Sequence, residues 1–173
     1  MKTKFHFAAL LTAALAAFAT AGFSADPGKM NSYDEKFMKS AGADGKAEAK
    51  IAELAVKKAT REDVKELAQM LMTDHNAVNT DLMALADKKA VDLSAIISPD
   101  GSSEFQKLES NATGKDFDDA FLKQMESDHK KCISDFESAQ KKVEDADLKA
   151  FVDKTLPGLK KHLDKVQELR GKK

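Results

Sequence analysis

The sequence predicts an all-α fold, a four-helix bundle with a long crossover between its second and third helices. Ala, Lys, Asp, Glu and Leu dominate the 173 residues, which include only three prolines and no tryptophan, and this composition favours helices. Apolar residues recur at steps of three and four through four long segments, the period of a helix buried on one side. The length suits one domain with a core, and 33% charged residues exclude a membrane bundle.

The first 21 residues are typical of a secretory signal peptide. Two lysines near the start precede an apolar run from Phe5 to Phe18, and Ala-Thr-Ala at the end is the small-x-small pattern that signal peptidase recognises. The run is shorter than the ~20 residues that span a bilayer. Residues 22–31 are small and polar and predict a flexible tail. We therefore expect an exported, periplasmic chain without a transmembrane segment, with its bundle at residues 32–170.

Capping patterns begin the first two long helices. Ser32 and Glu35 form a capping box, and Thr60 precedes two acidic residues that favour a helix N-terminus. The apolar stripe of the first helix is interrupted by Glu48, and that of the second contains His75. The two stripes are Phe37, Ala41, Glu48, Ile51, Ala52 and Ala55, and Leu67, Leu71, His75, Val78, Leu82 and Leu85.

A connector at residues 90–114 breaks the helical pattern. It holds a Ser-Pro-Asp-Gly turn and a short helix near Phe105 and Leu108. About 25 residues are enough to travel the length of a bundle, so we interpret the connector as a crossover between parallel helices. The third long helix then begins near Asp116. Asp145 caps the fourth, in which Pro157 predicts a kink.

An Asp-His pair occurs twice, 54 residues apart, as Asp74-His75 and Asp128-His129, and His162 follows in the last helix. Each histidine lies on the apolar face of its helix. At a rise of about 1.5 Å per residue, the distances from the helix ends place the three imidazoles in one layer. An unpaired buried imidazole costs several kcal/mol, so the layer must bind a metal or be hydrogen-bonded internally.

The predicted metal ligands are His75, His129, His162 and Glu48. Counting residues from the helix end places Glu48 about 6 Å along the axis from the histidine layer. Asp44 on the same helix is a competing carboxylate. Three imidazoles and a carboxylate suit zinc, copper or nickel, and a tetrahedral zinc needs no fifth ligand.

Other polar residues near this layer are weaker candidates for metal ligands. Asp74 and Asp128 lie about 100° around their helices from the adjoining histidines, so we expect them to orient a histidine of another helix, or a cap, rather than bind metal. Cys132, one turn past His129, could be a soft ligand, but we interpret it as a small buried apolar group.

These motifs resemble a bacterial exported ferritin-like family known as a domain of unknown function, some members of which are described as predicted outer membrane proteins. The resemblance covers about residues 35–169 and implies a ferritin-like four-helix fold, with association with the outer membrane as one option and no established activity. It is carried by Phe37 through Glu48 to Ala55, by Met70 to His75 with Asn79 and Leu82, by Phe117-Asp118 to His129 with Phe136, and by Thr155-Leu-Pro-Gly-Leu to His162-Leu163.

A di-iron oxidase is disfavoured. Iron-oxidising ferritin-like proteins carry Glu-x-x-His on two helices, whereas this chain has Met72 and Leu159 three residues before two of its histidines. Only Glu126-x-x-His129 fits, and we interpret Glu126 as a solvated side chain.

Three functional hypotheses follow, and no catalytic residue is predicted. The first is a bundle that stores, buffers or senses a divalent metal, with zinc or copper favoured over di-iron. The second is a metal-free structural or stress-response protein with a buried network of histidines and acids. The third is an oxidoreductase, weakened by the missing carboxylates. The 28 basic and 29 acidic residues are scattered, which argues against a nucleic-acid or anionic-membrane partner.

Overall fold

The computed structural model describes residues 30–94, 103–110 and 114–171. It confirms the all-α prediction of a four-helix bundle whose crossover contains a short helix. The predicted signal peptide and nearly all of the predicted tail lie outside the described residues. No helix in the described part of the chain carries an apolar stretch long enough to cross a membrane. The helices are α1 (Ser32–Lys58), α2 (Glu62–Lys88), α3 (Ser103–Ser110), α4 (Lys115–Lys142) and α5 (Ala146–Gly171).

Two helical hairpins, α1–α2 and α4–α5, form the bundle. In addition, α1 packs against α4 and α2 against α5, so that α2 and α4 lie on one diagonal. The first turn of α4 contacts the start of α2 through Asp118 and Thr60. The first turn of α1 contacts the start of α5 through Asp34 and Asp145. Helices α2 and α4 are therefore parallel, and α1 and α5 run the other way.

Two of the predicted helix caps are wrong. The N-cap of α1 is Asn31, whose side chain accepts a hydrogen bond from the backbone N of Asp34 at 2.8 Å, so the helix includes Ser32 instead of being capped by it. Helix α2 has Arg61 as its N-cap, without a side-chain cap of its own. The predicted cap of α5 is confirmed, since Asp145 accepts from the backbone N of Leu148 at 3.0 Å.

The turn of each hairpin is hydrogen-bonded to a buried carboxylate that belongs to the other hairpin. Asp118 is fully buried and accepts hydrogen bonds from the backbone N of Thr60 and Arg61 and from the Thr60 hydroxyl, at 2.9–3.0 Å. Asp34, also fully buried, accepts from the backbone N of Glu144 at 3.2 Å and of Asp145 at 2.8 Å. These bonds satisfy backbone N–H groups of the residues that directly precede α2 and α5.

The apolar core consists of two clusters, one toward each end of the bundle. One joins late α1 and early α2 to early α4 and late α5, around Leu71 and Phe121. The other joins the opposite ends of the same helices, around Leu82 and Phe136. Full burial of one such side chain stabilises the fold by about 1.5–3 kcal/mol. A layer of buried polar side chains lies between the clusters: Glu48, His75, His129, Thr155 and His162.

Candidate metal centre

Three imidazoles from three helices meet in the polar layer. His75 of α2, His129 of α4 and His162 of α5 have ring centroids 5.4–5.5 Å apart. Each ring offers one nitrogen within 4.8 Å of the nitrogens offered by the other two. The three histidine residues are at most 5% exposed. Among the described residues, this is the group of potential ligand side chains compact enough to hold one ion.

The proton of His129 is assigned by its contact with the preceding turn of α4. Nδ1 of His129 lies 2.9 Å from the backbone carbonyl oxygen of Met125. A carbonyl oxygen can only accept, so Nδ1 donates. In the neutral ring Nε2 therefore carries a lone pair and is free to bind a metal.

The proton of His162 is assigned in the same way by a carboxylate on α2. Nε2 of His162 donates to Oδ2 of Asp74 at 2.9 Å, which leaves the lone pair of the neutral ring on Nδ1. Nδ1 of His162 and Nε2 of His129 then face each other at 3.4 Å. Two lone pairs in this position repel unless a cation lies between them. Bonds of about 2.0–2.1 Å to a tetrahedral zinc would separate two nitrogens by about 3.4 Å.

Burial keeps these two rings in the neutral form that binds metals. It is the main cause that lowers the pKa of His129, with Glu48 opposing and the neighbouring histidines adding to the effect. Burial also lowers the pKa of His162, and the hydrogen bond to Asp74 offsets it only partly. Both values lie below the ordinary 6.5, so the rings are neutral at pH 7.

Glu48 of α1 contacts the other side of the group. Its Oε2 lies 3.0 Å from Nε2 of His75, yet neither atom makes a hydrogen bond of good geometry to the described residues. Its Oε1 lies 3.9 Å from Nδ1 of His129, across that ring from the nitrogen facing His162. Burial raises the pKa of Glu48, but the contact with His75 and the other two histidines lower it further, below the ordinary 4.5. An ionised carboxylate thus lies beside the three rings.

The competing carboxylate of α1 lies at the surface. Asp44 accepts a hydrogen bond from Lys131 at 2.9 Å, and its side chain is 39% exposed, against 5% for that of Glu48. Of the two acids, Glu48 therefore lies at the histidine layer, and its role as a metal ligand stays a prediction. Its position beside His75, outside the compact group of imidazole nitrogens, was not predicted.

The remaining candidate residues lie elsewhere. Asp128 accepts from the amide of Gln124 on its own helix, at 2.9 and 3.0 Å. Cys132 belongs to an apolar cluster, and burial raises the pKa of its thiol, which disfavours the metal-binding thiolate. The prediction that Glu126 is solvated is wrong, because its side chain is only 13% exposed and pairs with Lys130 and Arg170.

The chain belongs to the DUF4142 family, a domain of unknown function, whose model matches residues 19–169. This confirms the predicted membership of an uncharacterised family, while the ferritin-like classification remains a prediction from the resemblance. No curated protein matches the sequence significantly.

Three solved structures have a similar fold. A DUF305 fragment from Deinococcus radiodurans has a TM-score of 0.74 and 10% identity, over 84% of this chain and 100% of that one. CopM in its Cu(II)-bound form has a TM-score of 0.67 and 14% identity, over 80% and 96%. A DUF305 protein from Streptomyces coelicolor, described as secreted, has a TM-score of 0.68 and 14% identity, over 80% and 93%. At these identities the similarity concerns the helical fold alone.

Proposed function

We propose that this DUF4142 protein is an exported bundle that binds one divalent metal ion through His75, His129 and His162, for storage, buffering or sensing. The observation that carries the proposal is the pair of lone-pair nitrogens of His129 and His162, 3.4 Å apart, with the second nitrogen of each ring already occupied by a hydrogen bond. A cation between the rings would turn this repulsion into two coordinate bonds.

The surrounding charges also support a dication. Imidazole ligands bring no negative charge, and a buried uncompensated dication is costly. Glu48 lies 3.0 Å from His75, and Asp74 lies 2.9 Å from His162. Together the two carboxylates balance a charge of +2. In this proposal Asp74 orients His162, and Glu48 either orients His75 or supplies an oxygen ligand.

Zinc and copper are the metals that this site is proposed to bind. Imidazole is a good ligand for both, whereas a di-iron centre needs several bridging carboxylates. Among the described residues, Glu48 is the one buried acid of the layer. CopM, which has a similar fold, is known in a Cu(II)-bound form, and this is a reason to test copper beside zinc.

Export is part of the proposal and rests on the predicted signal peptide of residues 1–21. The similarity in fold to a protein described as secreted agrees with it. Association with the outer membrane rests only on the family resemblance and stays a prediction.

A metal-free structural or stress-response role is the second candidate. It is favoured by the chain of contacts that already links Asp74 through His162 and His129 to the carbonyl of Met125. A single proton shared between the two facing nitrogens would satisfy them without a metal. The protein would then respond to pH rather than to chelators.

Elemental analysis of protein purified from its native compartment tests the metal proposal. We expect about one zinc or copper per chain, a large loss in His75→Ala, and no loss in Asn76→Ala, the exposed neighbour on the same helix. Circular dichroism verifies that each variant is folded. Less than about 0.1 metal per chain, unchanged by His75→Ala and not raised by reloading with either metal, contradicts the proposal, since a real site should be nearly filled.

A further inference from the structure

A cleft of about 260 Å³ between α2 and α5 leads to the histidine layer. His75 and His162 form part of its lining, while Glu48 and His129 do not. The cleft therefore reaches two of the three buried rings of the site, and Nε2 of one of them, His75, lies 3.0 Å from Oε2 of Glu48. The site is thus approached from the α2–α5 side, with Glu48 behind it.

The charge of this cleft favours cations. Its charged lining residues are Asp74, Asp81 and Lys154. Asp74 is the carboxylate in contact with His162. Asp81 lies seven residues further along α2, about 10 Å away along the helix axis. Two carboxylates against one ammonium leave the cleft with an excess of negative charge.

Lys154 forms an exposed ion pair with Asp81, the carboxylate that does not contact a histidine. Its Nζ lies 2.7 Å from Oδ2 of Asp81, and the two side chains are 74% and 51% exposed. Exposed ion pairs of this kind contribute roughly 0–1 kcal/mol. A dication approaching Asp81 can therefore displace the ammonium, which has a single charge, at little cost.

We propose that this cleft is the entry path for a divalent cation, which first binds Asp81 and displaces Lys154 from it. The inference rests on the proposed function and specifies how the metal reaches the three imidazoles. It concerns the rate of binding, because neither Asp81 nor Lys154 contacts a histidine in the described contacts.

Stopped-flow kinetics of Zn²⁺ alone binding to the metal-free mature chain tests the charge argument. We expect Asp81→Asn to slow association by about three- to tenfold at low ionic strength and Lys154→Gln to accelerate it, with both differences shrinking in high salt. The zinc content at equilibrium should stay at one per chain in both variants.

A second surface ion pair provides the matched control. Lys160 of α5 lies 2.7 Å from Glu137 of α4, both about half exposed, and neither lines the cleft. Glu137→Gln and Lys160→Gln make the same changes in net charge as the cleft variants. If they alter the rate as much as Asp81→Asn and Lys154→Gln do, net charge explains the effect and the entry path is overturned.

Blocking the cleft gives an independent test. A Cβ added at Gly158, which lines the cleft, meets no heavy atom within 4 Å, and the same holds at Gly171 outside it. We expect Gly158→Leu to slow both uptake and chelator-driven release, whereas Gly171→Leu should change neither. Unchanged rates in Gly158→Leu overturn the inference. Absence of zinc binding at equilibrium in the unmodified chain overturns the proposed function itself, so that the two failures are distinguishable.

Discussion

Asp74 on α2 accepts a hydrogen bond from Nε2 of His162 on α5 at 2.9 Å. The bond crosses between the two hairpins and turns Nδ1 of His162 toward His129. A carboxylate in this position raises the basicity of the ring as a ligand and holds its orientation. The metal proposal therefore depends on a residue that binds no metal.

We expect Asp74→Asn to weaken zinc affinity by about 10–100-fold, the usual cost of removing a hydrogen-bond partner of a liganding histidine. Competition with a chromophoric chelator measures the affinity. Asp128→Asn is the matched control, because Asp128 also precedes a histidine but bonds to Gln124. The zinc affinity of this variant should stay within about twofold of that of the unmodified chain, the range expected for ordinary surface substitutions. Equal losses in both variants would contradict the orienting role of Asp74.

The metal-free protein should lose stability as the pH falls. Burial lowers the pKa of His129 and His162 below 6.5, so below that pH the unfolded chain binds more protons than the folded one. The free energy of unfolding then decreases with falling pH. The lowered pKa of Glu48 acts in the same direction below 4.5.

Urea denaturation of chelator-treated protein at about pH 7.5 and about pH 5.5, on either side of the ordinary histidine pKa, measures this dependence. His129→Asn removes one titrating ring and should reduce the difference between the two conditions. Equal stability at both pH values, or greater stability in acid, would show that the rings are not held neutral.

Zinc should stabilise the folded chain through the three histidines. At a free concentration of about 100 times the dissociation constant, binding raises the free energy of unfolding by about 2.7 kcal/mol. Thermal denaturation with and without zinc measures the gain. His162→Ala should abolish it, while Asn76→Ala should keep it. A gain of the same size in both variants would indicate binding elsewhere.

Asp118 should support the fold rather than the site. Asp118→Ala leaves the backbone N of Thr60 and Arg61 and the Thr60 hydroxyl without their acceptor, and we expect a loss of about 2–4 kcal/mol in the free energy of unfolding. Asp116→Ala, at an exposed acid of the same turn, should cost less than about 1 kcal/mol. Folded Asp118→Ala should still bind one zinc per chain. An equal loss in the free energy of unfolding for the two substitutions would contradict the bridging role of Asp118.

The common height of the histidines was predictable because a helix rises by a constant amount per residue. The distances of His75, His129 and His162 from their helix ends were therefore sufficient to bring them into one layer. The same count left Glu48 about 6 Å away, yet its carboxylate lies 3.0 Å from His75. The count follows the backbone and ignores the length and direction of the glutamate side chain.

The buried carboxylates of the turns could not be predicted in this way. Asp34 and Asp118 lie in first turns of helices, where acids such as Asp116 are favoured for local reasons. Nothing in the sequence near Asp118 distinguishes it from its exposed neighbour. Its partners, Thr60 and Arg61, lie more than 50 residues away and on another helix hairpin, so only the packing of the two hairpins reveals the contact.

The central claim is that one dication lies between the three imidazoles, and anomalous diffraction from crystals of the zinc-loaded protein tests it most directly. The account predicts one anomalous peak per chain, about 2.0–2.1 Å from Nε2 of His129 and Nδ1 of His162, with a nitrogen of His75 as the third ligand. A peak at surface carboxylates only, or no peak at the histidine layer, would contradict it.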